Sequence, residues 1–275
     1  MIFPQLKYKK QLLNLSKALS QQDHFNYSFT NKLPCGKGMT NDHISKSNRL
    51  ITVGINNLNT ETKFVHTLVT IFHEHTHAMQ FNELQQNDTD DYSLMNHLSC
   101  HNNQDYYEQN YKYFITEIEA EYNGVTNAYN YLCQNKSIDE ANSLITEYLK
   151  NSCRYNTESV CITSQQDIDG IFECAYNTAI HKTKWLSSYK SDDEIIKFLK
   201  ENPEYEKPFN KTFDDGYERD KFVAAVELYY HPEYRDFYSS PAIKNLNIEN
   251  YLEKKRELPY IDIPSQDNQK GDEYE

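Results

Sequence analysis

His73, Glu74 and His77 stand in the order H-E-x-x-H inside the stretch TLVTIFHEHTHAMQ, residues 67–80. Residues four apart on an α-helix share a face and lie about 6 Å apart along its axis, so two imidazoles so placed can hold one Zn²⁺ between them. Glu74 is turned about 100° from His73, which sets its carboxylate beside such a metal rather than on it. There it can take a proton from a water that the metal activates. The chemistry that this spacing suggests is hydrolysis.

That chemistry requires a helix. Phe64, Val65, Leu68, Phe72, Thr76 and Met79 recur at helical spacing, and neither Gly nor Pro interrupts Glu61 to Gln80. Thr60 is suited to the N-cap, and Glu61 places a negative charge in the first turn. His73, His75 and His77 also alternate, as metal-binding histidines on a strand would. A strand, however, would turn Glu74 to the face opposite all three, and the upstream apolar run has the helical period. On the helix His75 points about 200° from His73 and reads as a packing or surface residue. Upstream, RLITVGIN, residues 49–56, reads as a strand. It is expected at the sheet edge, where an extended substrate backbone would pair with it.

Catalytic zinc takes three protein ligands and keeps one position open, so a third ligand is needed. Three placements compete. Glu83 lies six residues after His77, where the pattern H-E-x-x-H-x-x-G-x-x-H carries a ligand, but that pattern needs a helix-breaking Gly where Gln80 stands. Glu117, Glu119 and Glu121 lie on a later helix in TEIEAEYNG, residues 116–124, with Glu117 and Glu121 on one face and Glu119 away. Of two acids facing a cation, one binds it and the other accepts the N–H of a ligating histidine. His181 and His231 are isolated in ordinary helical sequence and suit a donor to a developing oxyanion better than a ligand.

His73-Glu74-x-x-His77 followed by Glu117-x-x-Ala120-Glu121-x-x-Gly124 resembles the gluzincin zinc peptidases, of the thermolysin type and of the small bacterial and phage-associated H-E-x-x-H type. The resemblance covers residues 49–124. It implies Zn²⁺ as cofactor, Glu117 as the third ligand, Glu121 as the acid that supports a ligating histidine, and a protein or peptide substrate. Glu121 stands where Asp is usual, and Thr116 where an Asn often precedes the ligand.

Charge narrows the partners further. With 28 basic against 41 acidic residues the chain carries a formal charge of −13 and no long basic run, which argues against nucleic acid and anionic membranes as partners. No stretch approaches the ~20 apolar residues of a spanning helix, and the N-terminus lacks the apolar core of a signal peptide. Cys35, Cys100, Cys133, Cys153, Cys161 and Cys174 form no C-x-x-C pair and read as reduced thiols of a cytoplasmic protein. Oligomeric state has no signature in the sequence.

Along the chain, Leu6, Leu12, Leu13, Leu15 and Leu19 mark a helix over 5–21, and Pro34, Gly36 and Gly38 mark a loop over 31–47. Residues 85–105 read as a polar loop with a short helical piece at 92–98. His97, Cys100 and His101 there are spaced without a metal pattern. A helical pattern covers 106–135. Ser137 to Glu140 forms a capping box opening a helix to about Asn151, and Thr163 to Gln166 opens another to about Ser188. Further helices are expected at 195–202, 217–230 and 241–258. The expected organisation is α+β and mostly helical: a zincin-like catalytic lobe over 1–135 with a small sheet and an active-site helix, a helical lobe over 136–262, and a disordered acidic tail over 263–275. The expected activity is zinc-dependent peptide hydrolysis with Glu74 as general base. The alternatives are a non-peptidase zinc hydrolase or a binding module built on structural zinc.

Overall fold

The structure, a computed structural model, describes residues 4–40, 49–84, 115–152 and 160–188, with residues 197 and 201. Among the described residues, five helices and three strands run in the order α1 (Pro4–Asp23), β1 (Asn26–Pro34), β2 (Gly38–Thr40), β3 (Leu50–Asn56), α2 (Glu61–Leu84), α3 (Ile115–Asn135), α4 (Ile138–Ser152) and α5 (Gln165–Ser188). The described part is therefore α+β, mostly helical, with one small mixed sheet. None of its helices is long and apolar enough to cross a membrane. Of the expected helix over 195–202 only residues 197 and 201 are described, both helical. The helices expected at 217–230 and 241–258, the 92–98 piece, the residues His97, Cys100, His101 and His231, and the acidic tail lie outside the described residues.

The chain divides into two compact units. Residues 116–172 join the N-terminal segments in the first, and α5 passes into the second from Glu173. Thus α4, where the sequence began a helical lobe after residue 135, packs on α2 inside the first unit. His73, Glu74, His77, Glu117 and Glu121 all belong to that first unit.

The helix α2 is its centre. Thr60 caps it, receiving the Lys63 N–H on its hydroxyl and the Phe64 N–H on its carbonyl. Phe64, Leu68 and Phe72 are buried as the periodicity required, but Val69, Ile71, His75 and Ala78 are buried as well, so the helix is enclosed on nearly every side. Three threonines in this apolar setting, Thr67, Thr70 and Thr76, return their hydroxyls to the carbonyls one turn earlier, which removes the cost of unpaired buried groups. From α1, Leu12, Leu15 and Leu19 enter the core and Tyr8 stacks on Phe64, whereas Leu6 and Leu13 face outward.

The sheet corrects the sequence reading twice. Residues 26–34 and 38–40, within or next to the expected loop, form β1 and β2. And β3 is the central strand, not an edge: β1 pairs with it in parallel and β2 antiparallel, giving the order β1-β3-β2. Both neighbours are needed because Ile51, Val53 and Ile55 turn into the core, so β3 is held within the protein. Gly54 marks the tightest point of the sheet. A methyl group there would stand 2.0 Å from the Pro34 carbonyl oxygen and 2.8 Å from that of Leu33, at the irregularity in the β1–β3 register. Backbone cannot swing aside as a side chain can. Gly54→Ala is expected to cost about 1–3 kcal/mol or more, read as a lower urea midpoint at unchanged m-value.

Candidate metal centre

One turn apart on α2, His73 and His77 present their Nε2 atoms to each other at 3.1 Å. The first turn of α3 brings Glu117 to them, its Oε2 3.4 Å from His73 Nε2 and 3.3 Å from His77 Nε2. These are the three residues that, among those described, converge so as to hold a metal ion. Gly124 permits the approach of α3. A methyl group at that position would meet the Val69 carbonyl oxygen at 3.0 Å and His73 Cβ at 3.3 Å, tighter than ordinary van der Waals contact. The mixed donor set and the spacing both fit zinc. Ligands 2.0–2.1 Å from a tetrahedral ion lie about 3.3 Å from each other, close to all three separations found here.

Hydrogen bonding behind the histidines fixes which nitrogens face the centre. The Gln80 amide donates its Nε2 to Glu119 Oε2 at 2.7 Å, since a carboxylate can only accept. Gln80 Oε1 is thereby the atom lying 2.8 Å from His77 Nδ1, and that nitrogen must carry the proton. The same logic holds for His73, whose Nδ1 lies 3.2 Å from Glu121 Oε2. The other oxygen of Glu121 takes the Tyr148 hydroxyl at 2.6 Å, a contact supplied by α4. With both protons on Nδ1, both Nε2 atoms turn lone pairs toward one another and toward a carboxylate. Only a cation satisfies that arrangement, either a metal ion or protons.

The protonation equilibria agree. Burial works against a charged His73, but hydrogen bonding to Glu117 and Glu121 outweighs it and raises its pKa to about 10. His77 is likewise raised, burial being overcome by the charge of Glu117. Burial would push the Glu117 carboxyl up, yet the imidazoles hold it well below the usual carboxylate range. A dication would take the place of those protons, so metal uptake and proton release are coupled at this site.

Glu74 sits beside the triangle, buried, with its backbone on α2 and its side chain against β2. Thr40 Oγ1 lies 2.8 Å from Glu74 Oε2 and 2.8 Å from the Glu74 carbonyl oxygen. Gly38 lies so close that a methyl group on it would stand 2.5 Å from Glu74 Cγ and 2.8 Å from Oε1.

The fold thus gathers His73, Glu74, His77, Glu117 and Glu121 in one place. Helix α2 runs unbroken through Leu84, so the backbone does not turn back at Gln80 as a ligand role for Glu83 needs. His181 belongs to the stretch of α5 in the second unit. His75 is a packing residue: wholly buried, it bonds the Tyr27 hydroxyl through Nδ1 and places Nε2 3.1 Å from Asp23 Oδ2, between α1, β1 and its own helix. Four participants escaped the sequence reading, Gln80, Glu119, Tyr148 and Thr40. For Gln80 a signal existed, its place one turn beyond His77. For Glu119 spacing misled, because α3 is buried on more than the face that carries Glu117 and Glu121. Compared with protein-family models, curated proteins and solved structures, the chain gives no match.

Outer partners of metal-binding histidines typically contribute ten- to a hundredfold in affinity. Gln80→Ala and Tyr148→Phe are each expected to weaken metal-ion binding by about that factor without abolishing it, as measured by competition with a chromophoric chelator.

Proposed function

We propose that this chain is a zinc-dependent peptidase of the gluzincin kind, its catalytic part a zincin-like arrangement of a small sheet over an active-site helix. The observation that carries the reading is the convergence of three lone-pair donors, His73 Nε2, His77 Nε2 and Glu117 Oε2, with a carboxylate beside them. His73, His77 and Glu117 would hold the ion, and Glu121 and Gln80 would keep the two imidazoles in the required tautomer. Zinc bound there supplies a water of lowered pKa and polarisation of a carbonyl. Glu74 takes one proton from the attacking water as its oxygen bonds to the carbonyl carbon. It then returns that proton to the leaving nitrogen as the C–N bond breaks, so the products are an acid and an amine. A site of purely structural purpose would have no use for this carboxylate.

An extended substrate would lie along β2 instead of β3. Among the described residues β2 has a strand neighbour on one side only, and it packs directly over Glu74. Its backbone groups can add a peptide as a further strand. The reading is tested by metal analysis of the purified, tag-free protein followed by digestion of fluorescein-labelled casein. About one zinc per chain and a chelator-sensitive digestion are expected; absence of zinc even after reconstitution would overturn the reading.

A further inference from the structure

We infer that Thr40 is a positioning residue for Glu74, its hydroxyl and the side-chain-free Gly38 forming a seat on β2 that fixes the carboxylate. Two separate features of the strand support this. The Thr40 hydroxyl has a single proton, and its nearest acceptors are the carboxylate and the carbonyl of the same residue, each at 2.8 Å. Donation to a carboxylate oxygen is the stronger choice, since such a bond is charge-assisted. Two positions earlier on the same face of the strand, Gly38 leaves room that no other residue would leave, for a Cβ there would overlap Glu74 Cγ and Thr70 Cγ2 at 2.5 and 2.6 Å. A flexible side chain with three rotatable bonds is thereby confined between a donor and a backbone wall. One oxygen is occupied by Thr40 and the other remains to accept and carry a proton.

The inference rests on Glu74 acting as the base, but the position of its carboxylate can be checked without any turnover. Crystal structures of Thr40→Val, Thr40→Ser and wild type decide it: the valine is the same shape without the donor, and the serine restores the donor. Expected is a displaced or multiply placed Glu74 carboxylate in Thr40→Val and the original contact in Thr40→Ser. A carboxylate unmoved in Thr40→Val overturns the inference. In parallel, casein digestion by the zinc-loaded proteins is expected to show kcat lowered about tenfold or more in Thr40→Val, with KM and zinc content unchanged, and regained in Thr40→Ser. Equal kcat in wild type and Thr40→Val would also overturn it. A wild type that binds zinc but cleaves nothing would count against the peptidase reading, while the crystal structures would still decide the role of Thr40.

Discussion

Glu117→Ala is expected to leave the protein folded and unable to retain zinc. The carboxylate is the only one of the three converging donors that brings a negative charge, and it comes from a different helix from the two imidazoles. Without it His73 and His77 remain a two-nitrogen site on one helix face, with no anion to offset a dication's loss of hydration in a buried place. The affinity should fall by more than the ten- to hundredfold ascribed to an outer partner such as Gln80. Glu83→Ala is the matched control, because it removes a carboxylate carried by the same helix as the two imidazoles. Zinc counted by mass spectrometry after exchange against a chelator separates the cases: about one ion per chain in wild type and Glu83→Ala, and close to none in Glu117→Ala. Full occupancy in Glu117→Ala would remove Glu117 from the ligand set.

Folding of the apo protein should survive this change. Gly124 and the apolar residues Ile118, Ala120, Val125 and Ala128 hold α3 in the first unit independently of the carboxylate. What is lost is an ion-paired cluster in which the metal-free protein stores protons, not a part of the hydrophobic core.

Much of this site could be read from residue order because its chemistry is local. Four-residue spacing puts His73 and His77 on one face whatever surrounds the helix, and the same spacing pairs Glu117 with Glu121. Caps are equally local: the Ser137 hydroxyl and amide meet the Glu140 carboxylate as the S-x-x-E pattern demands. What could not be read depends on partners far along the chain. Thr40 meets Glu74 across 34 residues and Gln80 meets Glu119 across 39, and neither residue type is distinctive where it stands. The strands show the same limit. Leu50 to Asn56 announces itself by its β-branched residues, yet whether it lies at an edge is decided by β1 and β2. Those two carry Asn26, Ser28, Asn31, Lys32, Pro34 and Gly38, residue types that propensity assigns to turns and loops. They become strands because β3 offers backbone partners on both sides.

Glu74→Gln is expected to keep zinc and lose turnover, the reverse division from Glu117→Ala. The substitution changes one oxygen to an amide nitrogen and leaves shape and volume almost unaltered. It touches none of the three converging atoms. The amide oxygen can still accept the Thr40 hydroxyl, so the side chain should stay in its seat against Gly38. What the amide cannot do is accept a proton from water and return it to nitrogen. General acid–base groups of this kind contribute about 10²–10⁴-fold to rate, and here both proton transfers fall to the same carboxylate, so kcat should drop toward the upper end of that range with KM nearly constant. Casein digestion by the two zinc-loaded proteins measures the ratio. Retained turnover would show that some other group moves the proton, whereas loss of zinc would show that Glu74 helps to build the centre. Only the combination of intact metal and absent turnover assigns Glu74 to the reaction itself.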